Sequence, residues 1–418
     1  MSFHQFKRND YLEGYINVQS NNIEHLRNLM YRQIISTQAL RINEKISVEG
    51  TKEWLQFHKL TDLVNINHVN KWVETYYGNA SVSIKGTQYL NPDDLIQKLS
   101  HIEKTFNSKR PNTCESLFLK YRTTGYDAQG VRVKPQKPTY MRIGTKGKPG
   151  ILLIAGTHGD EYVTSIAITY FLEELSNASS ANQNKILDNF ELFVVPLLNP
   201  DGLNYSLKTG KHHRKNTNTQ HSKLGESGFG VDPNRNYPTY FGFSGSSPVA
   251  NHNIFSGPFP FSDSEASNVE FLVRRHKNIV IGIDCHAGAN KAVFHPIPTK
   301  MVSSIRGKTF VKQIDPTYSL LYSIIDKDIN KNLNNHCETC PYQLGSCDDY
   351  AGTSDEFFLH NVGILGYSIE LHEKKDPKMT RKLISDLGEF SLVIHSIIIS
   401  ALENNISNYI KRSIVNKN

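Results

Sequence analysis

Apolar runs alternate with amphipathic segments from about residue 150 to residue 400 of the chain. Four short runs are apolar at most positions and end in small or polar residues, which predicts buried strands followed by turns. These runs are residues 150–156, 190–202, 278–288 and 364–371. Residues 161–176 and 381–406 instead have apolar positions at helical spacing, so we expect helices there. The alternation indicates an α/β fold with a mixed, mostly parallel twisted sheet and helices on both faces.

In such a sheet, ligand sites form at the carboxyl ends of the strands. His158, His286 and Glu370 each lie at or just beyond the end of a predicted strand. Between Asp201 and Phe255 the chain is polar and rich in Gly and Asn, with little periodicity. A long irregular stretch inside a compact domain is uncommon unless it is functional, so we expect it to form loops of an active site.

The first part of the chain has a separate pattern. Strands are predicted at residues 11–20, 37–43 and 80–86, and helices at 22–34 and 67–77. This order is compatible with a small split βαβ unit. An Asn-Pro-Asp helix start then opens a helical pattern over residues 89–106. We therefore predict a small α+β domain over residues 1–87 and a large domain over residues 88–418.

Composition and charge exclude several classes of protein. The chain has 418 residues, of which 38% are hydrophobic and 21% charged, as in globular proteins with a large core. The net charge of +7 is modest and the basic residues are scattered, so nucleic acid is not an expected partner. No stretch is apolar for long enough to predict a membrane span, and the N-terminus does not resemble a secretory signal. The compartment stays open between the cytoplasm and secretion after removal of a signal, and the oligomeric state stays open too.

The cysteines do not predict a disulfide framework. Five is an odd number, so a complete set of disulfides is not implied. Cys337 and Cys340 form a CxxC with His336 and Cys347 nearby, and one interpretation is a zinc knuckle or a redox pair. Because no second CxxC completes a structural zinc site, free thiols or one local disulfide are the preferred interpretation.

His158 and Glu161 stand three residues apart, directly after the first predicted strand of the large domain. The pair alone is also typical of a polar turn. His286 ends another strand and is followed by Ala-Gly-Ala, whose small side chains leave space around an ion. Catalytic zinc takes three protein ligands and leaves a fourth position for water. The three residues predict a site for one zinc ion per chain, and Asp284 is either a partner of a ligand or a strand-end charge.

Six motifs in compatible order and spacing resemble those of the zinc metallocarboxypeptidase family, which includes carboxypeptidases A and B. They are HGDE from His158, LNPDGLNYS from Leu198, HHRKN around Arg214, GVDPNRNYP from Gly230, IDCHAG around His286 and SIEL around Glu370. The resemblance covers about residues 88–405. It implies a zinc-dependent exopeptidase that hydrolyses the C-terminal bond of peptides or proteins.

The resemblance also implies residue roles. His158, Glu161 and His286 would bind the zinc, and Glu370 would be the general base. Glu373 is the rival for this role, but Glu370 occupies the matching position at the strand end.

Two arginines match family residues that contact the substrate. Arg214 corresponds to the arginine that stabilises the oxyanion, although a solvated basic loop is the alternative. Asn234 and Arg235 correspond to the pair that binds the terminal carboxylate, whose two oxygens match a planar guanidinium.

The substrate-closing and specificity positions depart from the family pattern. Tyr350 is our choice for the mobile tyrosine that closes over the substrate, with Tyr342 second. Ser354 matches the main specificity position, and it is neither the large aliphatic residue of A-type enzymes nor the acid of B-type enzymes. Nearby acidic residues favour a basic terminal side chain if they face the pocket and not solvent. These residues are Asp284, Asp348, Asp349, Asp355 and Glu356.

Secreted members of the family carry an N-terminal prodomain of similar size, so residues 1–87 are either prodomain-like or an accessory domain. Two other functions stay open. One is a related zinc amidohydrolase that acts on cell-wall peptides or side-chain glutamates, and the other is an inactive family member that binds peptides. The ligand and base positions are all filled by competent residues, which argues against the inactive member.

Overall fold

The structure is a computed structural model of the chain. It describes residues 92–123, 135–221, 228–242, 245–288, 291–296, 299–305, 308–313, 316–336, 342–347, 350–371 and 381–410. The predicted domain over residues 1–87 and the CxxC of Cys337 and Cys340 lie outside these residues, as does Glu373.

The described residues form ten strands and eight α-helices. The strands are β1 (Cys114–Phe118), β2 (Thr139–Gly144), β3 (Gly150–Ile154), β4 (Glu191–Val195), β5 (Ile279–Ala287), β6 (Ala292–Pro296), β7 (Thr299–Ile305), β8 (Lys308–Gln313), β9 (Gln343–Cys347) and β10 (Leu365–Leu371). The helices are α1 (Pro92–Lys109), α2 (Val163–Asn177), α3 (Ser180–Leu187), α4 (Pro200–Thr209), α5 (Ser264–Arg275), α6 (Pro316–His336), α7 (Ser354–Phe357) and α8 (Arg381–Glu403). Shorter turns are the 3₁₀ turns Pro233–Arg235 and Ile406–Tyr409 and the π turn Phe358–Val362.

Eight of the strands form one sheet in the order β1-β2-β4-β3-β5-β10-β6-β9. The central neighbours β4, β3, β5 and β10 run parallel to one another, and β6 runs parallel to β9. The pairs β1–β2, β2–β4 and β10–β6 are antiparallel. The prediction of a mixed, mostly parallel sheet is confirmed. Strands β7 and β8 form a separate antiparallel pair.

Helices cover both faces of this sheet. In β3, Ile151 and Leu153 join a core cluster that includes side chains of α1, α2, α3, α6 and α8. Leu152 and Ile154 join a second cluster, on the other face, with side chains of α5 and α7. Successive strand residues point to opposite faces, and both faces are buried here, so the strand is apolar throughout.

The helices predicted from periodicity are confirmed in α1, α2 and α8. Most side chains of α2 are buried, and residues 391–401 of α8 are buried without interruption. The helix predicted over residues 381–406 is therefore part of the core along this stretch. Among the described residues, no helix is both long and apolar enough to cross a membrane.

The polar stretch from Asp201 to Phe255 begins inside a helix. The side chain of Asn199 accepts a hydrogen bond from the Gly202 amide at 2.9 Å, and Gly210 ends α4 in a left-handed conformation with φ 66°. Beyond Gly210 the described chain forms loops and the turn Pro233–Arg235. These loops lie at the carboxyl ends of the central strands, where the sequence predicted a site.

Helix α7 lies directly on the sheet because β10 has a glycine beneath it. A Cβ atom at Gly366 would lie 2.2 Å from the backbone carbonyl oxygen of Asp355. That contact is far inside van der Waals range, so only glycine allows this approach. The position of α7 over β10 therefore depends on Gly366.

We predict that Gly366→Ala lowers the free energy of unfolding by about 1–3 kcal/mol, because the added methyl group displaces α7 from the strand. Chemical denaturation of the full chain measures this change. Ser346→Ala, at an exposed position on β9, is the matched control and should change stability by less than about 0.5 kcal/mol. Equal stability of both variants would contradict the packing described for α7.

Candidate active site

The ends of three parallel strands bring the predicted site residues together. His286 is the penultimate residue of β5 and Glu370 is the penultimate residue of β10, and the two are register partners on adjacent strands. His158 and Glu161 lie in the loop between β3 and α2. A Cβ atom at Gly159 would lie 2.3 Å from the backbone of Gly202, so this loop packs tightly against the start of α4.

His158, Glu161 and His286 form the one group of potential metal ligands found among the described residues, and their candidate ligand atoms lie within 4.8 Å of one another. His158 Nδ1 lies 2.9 Å from one carboxylate oxygen of Glu161, and His286 Nδ1 lies 3.2 Å from the other. The two Nδ1 atoms are 3.2 Å apart. All three side chains are buried.

This donor set fits a zinc ion. Two imidazole nitrogens and a carboxylate facing one point resemble the three-ligand sets of catalytic zinc sites. His158 Nε2 lies 3.2 Å from Asp232 and His286 Nε2 lies 3.3 Å from Asp284, so each ring has a carboxylate behind it and directs Nδ1 to the centre. Such carboxylate partners orient metal-binding histidines.

Charges within the group also suit a cation. Burial favours the neutral form of Glu161, but His158 and His286 outweigh it and hold the pKa of this carboxyl well below its ordinary value. Burial disfavours a charged ring at His286, but Asp284 and Glu161 hold the pKa of that imidazole well above its ordinary value. Glu161 is therefore ionised, and a proton on His286 competes with a metal ion for Nδ1.

Glu370 faces this group from β10. Its Oε2 atom is buried and has no hydrogen-bond partner among the described residues. Burial and the neighbouring charge of Glu161 raise the pKa of the Glu370 carboxyl above its ordinary value, although His286, His158 and Arg214 act in the opposite direction. An unpaired carboxylate with a raised pKa is suited to accepting and returning a proton.

Arg214 lies on the opposite loop and is held by two carboxylates. Its Nε donates to Asp232 at 2.8 Å, and its Nη1 lies 3.4 Å from Glu161. Burial disfavours the charge on Arg214, but Asp232 and Glu161 raise the pKa of the guanidinium above its ordinary value. The side chain is thus a permanent positive charge beside the ligand group, and it is not part of a solvated basic loop.

Arg235 and Asn234 follow in the turn Pro233–Arg235. Arg235 donates from Nε to the Gly245 carbonyl at 2.6 Å and from Nη1 to the Asn234 carbonyl at 2.7 Å. These bonds fix the plane of the guanidinium. The Asn234 amide is engaged on both sides, because Oδ1 accepts from the Ser354 amide at 2.8 Å and Nδ2 lies 3.1 Å from His286 Nε2.

The His-Glu-His group, Glu370, the two arginines and Asn234 line one cleft of about 480 Å³. Its lining residues are His158, Glu161, Arg214, Asn234, Arg235, Ile254, His286, Ala287, Gly288, Phe294, Tyr350, Thr353, Asp355, Ser368 and Glu370. Tyr350 is 49% exposed and its ring lies 4.8 Å from the Arg235 guanidinium carbon, so it stands at the mouth of the cleft. Tyr342, the second candidate, is buried elsewhere and does not line the cleft.

Ser354, the expected specificity residue, does not line the cleft. Its side chain is fully buried and its hydroxyl donates to Asp284 at 2.7 Å. The next residue, Asp355, lines the cleft instead, because successive residues of the α7 turn point in different directions. Glu356 is buried away from the cleft, and Asp348 and Asp349 lie outside the described residues.

The comparisons with known proteins agree with this geometry. The family model described as zinc carboxypeptidase matches residues 101–401, which is most of the chain. The chain belongs to the zinc carboxypeptidase family. The resemblance predicted from the motifs is confirmed, and the family supplies zinc as the metal that the His-Glu-His group fits.

Similar proteins include zinc carboxypeptidase A 1 of Drosophila melanogaster, which is 29% identical over 49% of this chain and 44% of its own length. Carboxypeptidase B of Astacus astacus is 32% identical over 35% of this chain and 48% of its own length. The chain thus spans about half the length of these relatives.

Solved structures show the same fold. Bovine thrombin-activatable fibrinolysis inhibitor aligns with a TM-score of 0.57 at 19% identity, covering 74% of this chain and 97% of its own. Carboxypeptidase A from Helicoverpa armigera aligns with a TM-score of 0.58 at 17% identity, covering 82% of this chain and 80% of its own.

Sequence analysis missed several residues of this zinc carboxypeptidase site. Asp232 contacts both His158 and Arg214, and its place two residues before Asn234, inside a quoted motif, was the available signal. Ile254, Phe294 and Ser368 line the cleft. Ser368 stands two residues before Glu370 on the same strand, so alternation of strand side chains could have placed it on the same face.

Proposed function

We propose that this zinc carboxypeptidase family member is an exopeptidase that removes the C-terminal residue of peptides or proteins, with a preference for basic residues. One observation carries the proposal. The Arg235 guanidinium lines the same cleft as the His-Glu-His group and Glu370, so a carboxylate receptor and a hydrolytic group share one cavity.

His158, Glu161 and His286 would hold the zinc ion. When bound, zinc acts as a Lewis acid towards the peptide carbonyl and lowers the pKa of water. The residues themselves supply the shape of the site: they are buried, and Asp232 and Asp284 stand behind the two rings. The group lines the cleft, where Ala287 has only a methyl side chain and Gly288 has none, which leaves room for a substrate.

Glu370 is the proposed general base. Its unpaired Oε2 takes a proton from the attacking water, holds it, and delivers it to the leaving amine. The raised pKa of Glu370 lies closer to neutral pH than that of an ordinary carboxyl group. A carboxylate of this kind can both accept a proton from water and release it to the leaving amine. The neighbouring strand carries His286 in register, which keeps the carboxylate beside the ligand group.

Arg214 faces the oxygen of the attacked carbonyl in this proposal. Asp232 holds its Nε and leaves the terminal nitrogens directed at the ligand group. A fixed cationic donor at a developing oxyanion contributes about 3–4 kcal/mol to stabilisation of the transition state.

Arg235 would bind the terminal carboxylate, with Asn234 shaping the floor of the receptor and Tyr350 covering it. The Arg235 side chain is immobilised by the Gly245 and Asn234 carbonyls, so little rotational freedom is lost when the substrate binds. Tyr350 already lies on the face of the guanidinium and is half exposed.

Asp355 supports the preference for a basic terminal side chain. It is an acidic side chain on the cleft wall, beside Ser368 and Phe294, and is only 6% exposed. A carboxylate with little access to water binds a guanidinium or ammonium group strongly. Phe294 offers an apolar surface for the methylene stem of such a side chain.

We expect that peptides with a free C-terminus are cleaved at least about 100-fold faster, by kcat/KM, than the same peptides with an amidated C-terminus. The amide cannot form the charge-assisted hydrogen bonds with Arg235, which contribute about 1.5–3 kcal/mol each. The release of the terminal residue from the free and the amidated peptide, measured by mass spectrometry, tests this expectation. Equal rates would rule out an exopeptidase.

Glu370→Gln should keep the zinc content of the wild type and lower kcat by about 10²–10⁴-fold, because the amide has the same shape but accepts no proton. Metal per chain and kcat are measured on the same preparation. Glu115→Gln, which alters a surface ion pair with Arg142, is the control and should leave both values unchanged. An unaltered kcat for Glu370→Gln would remove Glu370 as the base.

Asp355→Asn should lower kcat/KM for peptides ending in Arg or Lys by about 10–100-fold, through loss of a charge-assisted hydrogen bond. Peptides ending in Leu should change by less than about threefold. Glu356→Gln, the neighbouring acid that does not line the cleft, should keep the wild-type preference. An equal loss for both classes of peptide would argue against Asp355 as the selecting residue.

A further inference from the structure

Asp284 is a fully buried carboxylate on β5 that stands behind His286 and takes no part in the proposed proton transfers. Thr157 donates from Oγ1 to its Oδ1 at 2.8 Å, and Ser354 donates from Oγ to its Oδ2 at 2.7 Å. His286 Nε2 lies 3.3 Å from the same Oδ2. Three side chains from three separate segments therefore meet at one carboxylate.

Each of these partners adjoins a residue of the cleft. Thr157 immediately precedes His158, and Ser354 immediately precedes Asp355. His286 itself belongs to the candidate ligand group. Asp284 thus contacts His286 itself and the residue before His158, and both histidines are parts of the candidate ligand group. Through Ser354 it also contacts α7, the helix that carries Asp355.

A second group competes for His286 Nε2. Asn234 Nδ2 lies 3.1 Å from it, and the orientation of that amide is fixed because Asn234 Oδ1 accepts from the Ser354 amide. An amide NH₂ can only donate, so this contact favours a ring without a proton on Nε2. An ionised carboxylate can only accept, so Asp284 favours the ring with a proton on Nε2.

The outcome of this competition decides whether His286 can bind a metal ion. A neutral imidazole carries one proton, so a proton on Nε2 leaves the lone pair of Nδ1 free, and Nδ1 is the atom that faces His158 and Glu161. A proton on Nδ1 would block it. Asp284 accepts hydrogen bonds at both oxygens, one from Thr157 and one from Ser354, so its carboxylate acts as an acceptor.

We propose that Asp284 is a positioning residue that keeps the proton of His286 on Nε2, and that it anchors α7 to the metal site through Ser354. The inference rests on the proposed function for the use of the metal. Asp284 does not contact the substrate. It acts by orienting His286 and by fixing the residue before Asp355.

The test measures zinc affinity of the full chain by competition with a chelator, after removal of metal. Asp284→Asn should bind zinc about 10–100-fold more weakly than the wild type, as for other lost partners of metal-binding histidines. Thr157→Val and Ser354→Ala keep the carboxylate and each remove one donor, so they should lose less than about fivefold. Thermal unfolding of the metal-free variants checks that all of them are folded.

Nuclear magnetic resonance of the zinc-loaded chain with ¹⁵N-labelled histidine gives the second readout. The wild type should show two slowly exchanging Nε2 protons in the site, one from His158 bonded to Asp232 and one from His286 directed at Asp284. The variant Asp284→Asn should lose the protection of the His286 proton alone, and His286→Gln assigns it.

Zinc affinity within about twofold of the wild type in folded Asp284→Asn, or an unprotected His286 Nε2 proton in the wild type, would overturn the proposal. If Asp284→Asn does not fold, the wild-type spectrum decides between the two outcomes. Neither readout uses a peptide. A chain that binds zinc as described but does not cleave peptides would contradict the proposed function and leave this inference intact.

Discussion

Two imidazole nitrogens and a carboxylate that point at one buried place need positive charge between them. His158 Nδ1 and His286 Nδ1 are 3.2 Å apart, and each lies within 3.2 Å of a Glu161 oxygen. Burial without a cation or protons would be costly, because lone pairs would face one another away from water. The ionised Glu161 and the proton-attracting His286 follow from this constraint. Zinc binding and protonation are therefore alternatives at the same atoms.

The rest of the cleft is organised around the two carboxylates behind these rings. Asp232 contacts His158 on one side and Arg214 on the other, so it fixes the position of the proposed oxyanion donor relative to the ligand group. Asp284 contacts His286 and Ser354, so it fixes the position of α7 relative to the ligand group. Each ring is thus oriented by a residue that also positions a different part of the proposed substrate site.

The sequence predicted the central strands well because burial on both faces leaves an unbroken apolar run, as in β3 and β5. It did not predict the outer strands β1 and β9, which are short and partly exposed and therefore have no such run. The candidate ligand residues were predictable for two reasons. His158 and Glu161 are only three residues apart in the sequence, and the ends of parallel strands, where His286 lies, meet at one edge of the sheet. The contact of His158 with Asp232 was not predictable, because it joins side chains 74 residues apart.

The positions of Ser354 and Asp355 show where motif matching stops, because Asp355 lines the cleft and Ser354 does not. Matching assigns a role to a position, but the rotation of a one-turn helix decides which of two successive side chains enters the cleft. Here Gly366 sets the height of that helix on β10, and Asn234 and Asp284 hold Ser354 by its amide and its hydroxyl. Asp355 consequently lines the cleft, while the hydroxyl of Ser354 is directed at Asp284. In the proposed site, a change at position 355 therefore acts on the cleft wall, whereas a change at 354 acts on the carboxylate beside His286.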